Sequence, residues 1–77
     1  MSGSVYKMIE LVGTSTVGWE DAAKLAIETA SRSLSDLRVA EVVLLDMKVG
    51  EDRTILYRTK IRVSFKYHSG YEKLVLE

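Results

Sequence analysis

The stretch Thr54–His68, with the sequence TILYRTKIRVSFKYH, decides the fold because its side chains alternate in character. One set is aliphatic or aromatic apart from one threonine, and the set between is mostly basic or polar. The first set is Ile55, Tyr57, Thr59, Ile61, Val63, Phe65 and Tyr67. The second set is Leu56, Arg58, Lys60, Arg62, Ser64, Lys66 and His68. Successive side chains of a strand point to opposite faces, so the pattern predicts a long strand with one buried face.

The chain before this strand predicts a hairpin. Gly50–Arg53 is a loop of common length, with a glycine to adopt a positive φ. The strand Arg38–Val49 precedes it and is apolar on both predicted faces. One face carries Val39, Val43, Leu45, Met47 and Val49, and the other carries Ala40, Val42 and Leu44. One helix can cover only one face of this strand. We therefore expect the other apolar face to contact a second subunit or a ligand. The alternative is that the tail, Ser69–Glu77, folds back over it.

The first half of the chain predicts a strand followed by a helix. Val5–Val12 is rich in β-branched and apolar residues, and Gly13–Thr16 is expected to end that strand. Trp19–Leu34 then shows a helical period. The apolar stripe of this helix is Trp19, Ala22, Ala23, Ala26, Ile27, Ala30, Leu34 and Leu37.

The predicted order of elements is therefore β-α-β-β, an α+β fold. If the first strand pairs with the third, the sheet order is β1-β3-β2, every neighbour is antiparallel, and one helix covers one face. We expect a single domain over residues 1–77, with a core of about 4–68 and a tail of 69–77.

Composition narrows the classes of function. The chain has 77 residues, no cysteine, one histidine, and eleven basic residues that balance eleven acidic ones. So short a chain buries little surface alone, which predicts a homo-oligomer. The chain has no excess of basic residues, so we expect no nucleic-acid partner. It has no apolar run long enough to suggest contact with a membrane. No signal-peptide pattern opens the chain, so we expect a cytoplasmic location.

The sequence offers no catalytic constellation. Gly13–Gly18 matches the first six positions of a phosphate-binding loop, but Trp19 and Glu20 occupy the positions of its lysine and hydroxyl residue. We interpret it as a turn whose hydroxyls cap the helix. Glu10, Glu28 and His68 have no evident acid, base or nucleophile partner, so the chain is not expected to be an enzyme.

Three segments resemble the dodecin family, over about Ser4–Lys66. They are Val5–Ser15 (VYKMIELVGTS), Ala40–Val42 (AEV), and Tyr57 with the alternating Ile61, Val63 and Phe65. The resemblance implies a hollow dodecamer of cubic symmetry, in which each three-stranded sheet wraps partly round one helix. It also implies non-enzymatic binding and storage. Typical members stack pairs of flavins such as FMN or riboflavin against a tryptophan, and some also bind coenzyme A.

The sequence departs from the family at the flavin site. Val39 stands where the resemblance places the stacking tryptophan, and Arg58 stands where it places a flavin-binding glutamine. Valine cannot provide the aromatic stacking term. The single tryptophan, Trp19, opens the helix and is expected to anchor it to the core or to a neighbour.

A subgroup of the family without that tryptophan is associated with calcium, and Arg38–Ala40, Asp46–Met47 and Tyr57–Arg58 resemble it. Calcium takes six to eight oxygen ligands. The candidate metal ligands are Asp46, Glu51 and Asp52 around the hairpin, with Glu41 as a second choice. One subunit offers too few, so symmetry mates or waters would have to complete the site; the alternative is a solvated acidic turn.

The candidate pocket for a small ligand lies between subunits and is lined by Val39, Glu41, Arg58 and Lys60. The basic row to which the last two belong is either an anion site or is paired with acids across a subunit interface. We expect binding or storage of a small ligand or ion, with calcium preferred. Flavin storage in an altered pocket and a purely structural assembly remain the alternatives.

Overall fold

The computed structural model describes residues 3–66. Its elements are β1 (Tyr6–Ser15), α1 (Trp19–Ser33), β2 (Leu37–Val49) and β3 (Ile55–Lys66). The strands form one antiparallel sheet in the order β1-β3-β2. The predicted β-α-β-β fold and the central position of β3 are confirmed. The predicted tail, Ser69–Glu77, lies outside the described residues, as do Tyr67 and His68.

The alternation along β3 places the core as the sequence predicts. We call the face of the sheet that carries the helix the inner face and the opposite one the outer face. The buried inner residues of β3 are Thr59, Ile61, Val63 and Phe65. They meet the buried stripe of α1, which consists of Ala22, Ala26 and Ala30. Because alanine side chains are small, the 15-residue helix lies close to the sheet and covers the buried residues of β3.

Gly13 marks the closest approach of the helix to the sheet. A Cβ at this position would collide with the carbonyl oxygen of Ala22 and would lie 3.0 Å from the Cβ of Ala26. The prediction that Gly13–Thr16 ends the first strand is wrong. β1 continues to Ser15, because Gly13 still pairs with Thr59 in the ladder and the helix excludes only a Cβ at that position.

Gly13→Ala is therefore expected to destabilise the protein by about 2 kcal/mol or more, since overpacking a filled site costs roughly 1–3 kcal/mol. Urea denaturation at a fixed protein concentration measures the change. Gly18→Ala is the matched control, because nothing lies within 4 Å of a Cβ there and the backbone is extended. Equal stability of the two variants would contradict the close approach of α1 to β1.

The two turns use different chemistry from that predicted. No glycine among the described residues adopts a left-handed φ; in the hairpin, Arg53 adopts it instead, at 67°. The side chain of Asp52 holds this turn by accepting hydrogen bonds from Thr54 Oγ1 and the Thr54 amide. The predicted hydroxyl cap of the helix is also wrong. Gly18 occupies the N-cap position without a side-chain cap, and Ser15 Oγ donates instead to Asp21 Oδ2 at 2.7 Å.

Strand β2 has an irregular register, which changes the predicted faces. The pairing with β3 shifts between Leu37 and Val39 and again between Val42 and Leu44. As a result Leu45 and Met47 lie opposite Thr59 and Tyr57, and Val49 lies opposite Ile55, so these three share the inner face. The prediction that placed them on one face with Val39 is wrong. Val39 lies opposite Ser64 on the outer face, because the extra residue at Val43 reverses the alternation.

Neither face of β2 is covered within residues 3–66. The helix packs mainly against β1 and β3 and barely reaches β2. Six apolar side chains of β2 are between 45% and 68% exposed, namely Val39, Val42, Leu44, Leu45, Met47 and Val49. As the sequence predicts, β2 has apolar side chains on both faces that the subunit itself does not cover. No helix in this part of the chain combines the length and apolarity needed to cross a membrane.

Candidate functional site

The outer face carries a charged row that spans all three strands. Glu10 of β1, Arg62 of β3 and Glu41 of β2 are register partners. Arg62 donates to Glu10 Oε2 from Nε at 3.2 Å and from Nη2 at 2.7 Å. Arg62 Nη1 lies 3.6 Å from Glu41 Oε1, and Lys60 Nζ lies 3.8 Å from Glu10 Oε1. The pairing of the basic row with acids, expected across a subunit interface, thus occurs within one subunit.

These contacts set the charge states of the row. The hydrogen bonds from Arg62, with a smaller contribution from the charge of Lys60, lower the pKa of Glu10. In return, hydrogen bonding to Glu10 raises the pKa of Arg62. Glu10 is therefore an ionised partner of two cations, which makes it unsuited to act as a general acid.

Because the folded state lowers the pKa of Glu10, its contribution to stability is full above the ordinary glutamate pKa. It is lost as the pH falls towards the lowered value. Glu10→Gln is expected to flatten the acid limb of the stability curve, measured by urea denaturation from neutral pH downward. Glu28→Gln, which removes an exposed carboxylate of α1, serves as the control. An acid limb as steep in Glu10→Gln as in the wild type would contradict this role.

A second ion pair lies further along the same face. Arg58 Nε donates to Asp46 Oδ1 at 2.8 Å, and Arg58 Nη2 donates to Asp46 Oδ2 at 2.9 Å. The hydrogen bonds from Arg58 lower the pKa of Asp46 and those to Asp46 raise the pKa of Arg58. The two parallel contacts form a bidentate fork, which fixes the orientation of both side chains.

Trp19 links this region to the helix. Its Nε1 donates to the carbonyl oxygen of Asp46 at 2.8 Å, and its ring meets the ring of Tyr57 edge to face at 5.1 Å. The carbonyl oxygen of Trp19 accepts a hydrogen bond from the buried Thr59 hydroxyl at 2.8 Å. The predicted anchoring role of Trp19 is confirmed, and these contacts tie the first turn of α1 to β2 and β3.

Trp19→Phe keeps an aromatic ring but removes the donor to Asp46. We expect a loss of about 1 kcal/mol, the usual net worth of one such hydrogen bond. Tyr57→Phe, which keeps the edge-to-face contact, is the control and should stay close to the wild type. Thermal and urea denaturation measure both. Wild-type stability in Trp19→Phe would show that the indole hydrogen bond is dispensable.

The four predicted ligand-binding residues share the outer face but not one pocket within the subunit. Val39 lines a cavity of about 210 Å³ beside Ile27 and Val63. The register partner of Val39 is Ser64, which lies six residues from Arg58 along β3. At roughly 3.4 Å per residue, Arg58 is therefore about 20 Å from the position of Val39. Glu41 and Lys60 lie between these two positions. A common pocket for all four therefore stays a prediction for the assembled protein.

The predicted metal ligands are likewise separate. Asp46 is engaged by Arg58, Asp52 holds the hairpin through Thr54, and Glu51 is exposed in the turn. Within the described part of the chain, no three acidic or histidine side chains form a group that could hold a metal ion. These residues do not fit a calcium ion within one subunit. A calcium site that uses them requires further ligands from symmetry mates or waters, which stays a prediction of the sequence.

The sequence predicts that acids pair with the basic row, but not which acids do so. It gives Glu10 no evident acid/base partner for catalysis, yet Glu10 pairs with Arg62, which is the centre of a row across three strands. Alternation in β1 and β3 places Glu10 on the same face as the basic row, but the register that sets it opposite Arg62 comes from the structure. The Asp46–Arg58 pair follows from the register set at the hairpin, because pairing runs unbroken from Val49 opposite Ile55 to Asp46 opposite Arg58. The irregularity at Val43 affects only the residues before Leu44, so it is the position of Glu41 opposite Arg62 that simple alternation does not give.

The fold defines a class of small α+β protein in which one helix packs on a three-stranded antiparallel sheet and the edge strand β2 stays exposed. The family model described as Dodecin matches residues 5–68. The chain belongs to the dodecin family, which confirms the resemblance seen in its sequence.

Individual relatives agree with this assignment. The calcium dodecin of Mycobacterium tuberculosis is 49% identical over 63 residues, which cover 82% of this chain and 89% of that protein. The dodecin of Thermus thermophilus is 38% identical over 64 residues, covering 83% and 93%. This chain is thus more similar to the calcium dodecin than to the Thermus protein, as predicted.

Solved structures share the fold. The crystal structure of the Mycobacterium tuberculosis calcium dodecin, described as calcium chelating with a novel calcium-binding site, superposes with a TM-score of 0.79 at 48% identity. The superposition covers 84% of this chain and 93% of the calcium dodecin chain. Dodecin from Streptomyces davaonensis also gives a TM-score of 0.79, at 27% identity, covering 87% and 98%.

Proposed function

We propose that this chain is the subunit of a non-enzymatic, hollow dodecamer that binds and stores calcium at sites shared between subunits. The observation that carries the proposal is the 49% identity to a calcium dodecin over most of both chains. The structure supports it in two separate ways, one concerning the assembly and the other concerning the ligand.

The support for assembly is the exposure of β2. Apolar side chains that remain about half exposed on both faces of one strand favour burial against another copy of the chain. At 8.7 kDa the subunit has little further surface to bury internally. A closed symmetric oligomer covers the same strand in every copy at once, so it leaves no copy with an unmatched apolar surface.

The support for an ion rather than a stacked flavin comes from the aromatic residues. Val39 offers no ring at the position that the family resemblance assigns to stacking. The indole of Trp19 is already held by Asp46 and Tyr57.

Calcium is a hard cation that binds carboxylate and carbonyl oxygens. The acids that we propose to hold it are Asp46, Glu51 and Asp52, contributed by neighbouring copies of the chain. A shared site of this kind couples calcium binding to assembly, because the ligands come together only in the oligomer.

The assembly claim is tested by sedimentation velocity. The expected particle has twelve times the 8.7 kDa mass of one chain. A single-subunit species at working concentration would refute the assembly and with it the shared calcium sites.

The calcium claim is tested by thermal melting with calcium chloride, with chelator, and with magnesium as the control cation. A ligand that binds only the folded assembly raises the melting temperature, by an amount that grows with its concentration. Melting that ignores calcium and chelator alike would refute calcium binding. Quenching of FMN fluorescence at micromolar protein would favour the flavin alternative instead.

A further inference from the structure

Strand β2 is an open edge of the sheet. It lies last in the order β1-β3-β2, so within residues 3–66 only one of its sides pairs with another strand. At 13 residues it is the longest of the described strands. Strands of globular proteins are typically about five or six residues long. The free side of β2 therefore presents a long row of backbone N–H and C=O groups that can pair with a strand of a second copy.

The middle of this edge has the composition that favours such pairing. Val42–Leu45 (VVLL) is the longest run of β2 without a charged residue. Its four side chains are between 37% and 55% exposed. Apolar segments without charge or proline, exposed at a sheet edge, are sites of intermolecular strand pairing. The rest of the strand is interrupted by charged residues, namely Arg38, Glu41, Asp46 and Lys48.

A β-bulge interrupts the ladder inside this apolar run. Val42 pairs with Ile61 and Leu44 pairs with Lys60, so two steps along β2 correspond to one step along β3. Val43 is the extra residue and has no register partner in β3. An extra residue of this kind bends the strand and increases its local twist, which turns the edge away from a second straight strand.

We infer that the bulge at Val43 keeps β2 from pairing edge to edge with another copy, so that copies meet through side-chain contacts and not as one extended sheet. The chain contains no proline, and Val42–Leu45 carries no charge. The bulge is therefore the protection that the structure provides within this run. Edge pairing that continues from copy to copy gives open-ended aggregates, and a closed assembly has to avoid it. The inference does not depend on calcium.

The test is deletion of Val43. The deletion removes the extra residue and makes the pairing of Val42 and Leu44 with Ile61 and Lys60 continuous. We expect the variant to lose most of its soluble protein to aggregates that raise thioflavin T fluorescence, whereas the wild type at the same concentration does not. Sedimentation velocity measures the soluble fraction. Because the deletion also removes a partly exposed valine, the change in composition alone would lower aggregation.

Two further variants separate the bulge from other causes of aggregation. Val43→Ala shortens the side chain but keeps the extra residue, so it is the matched control and should behave like the wild type. The deletion combined with Val42→Lys places a charge in the same run, at a side chain that is 55% exposed and lies opposite Ile61. Inward-pointing charges also protect sheet edges, so we expect this variant to stay soluble.

The outcomes decide the inference as follows. Aggregation of the deletion variant that Val42→Lys relieves supports it. A deletion variant without thioflavin-positive aggregates overturns it, whether that variant is folded or not. Aggregation of Val43→Ala overturns it as well, and so does aggregation that persists after Val42→Lys, because misfolding would then be the cause. A wild type that sediments as single subunits refutes the proposed assembly but leaves this comparison intact.

Discussion

In residues 3–66, one 15-residue helix packs against a sheet of three strands and covers mainly β1 and β3. The rest of the subunit depends on this constraint. The close approach at Gly13 fixes the helix over β1 and β3. That position completes one compact core around Ile61 and Val63 and leaves β2 exposed on both faces. The same packing that buries part of the sheet therefore leaves the apolar residues of β2 exposed.

The outer face complements this arrangement through charge. Its central strand is basic, and the flanking strands contribute acids directly opposite, so Glu10 and Asp46 neutralise Arg62 and Arg58 within the subunit. Each pair favours one register between neighbouring strands, because a shift of one residue would separate the partners. The acids are accordingly not free carboxylates.

Much of the fold follows from local pattern. The alternation in β3, the alanine stripe of α1 and the family-like segments are each readable without the structure, and together they predict the strand order. The exceptions arise from tertiary contacts. β1 continues through Gly13 because the helix excludes only its side chain, and the faces of β2 change because an irregular register at Val43 depends on pairing with β3. The sequence predicts individual residues of the candidate site, but which acid meets which base depends on how the three strands pair in the folded sheet.

We expect the exposed apolar residues of β2 to be the surface through which the subunit assembles. Sedimentation velocity of Leu45→Lys, compared with the wild type, tests it most directly, since Leu45 is about half exposed in one subunit. The account predicts that the wild type sediments as a twelve-subunit particle and that the charged variant does not form it. An unchanged twelve-subunit particle in the variant, or a wild type that sediments as single subunits, would contradict the account.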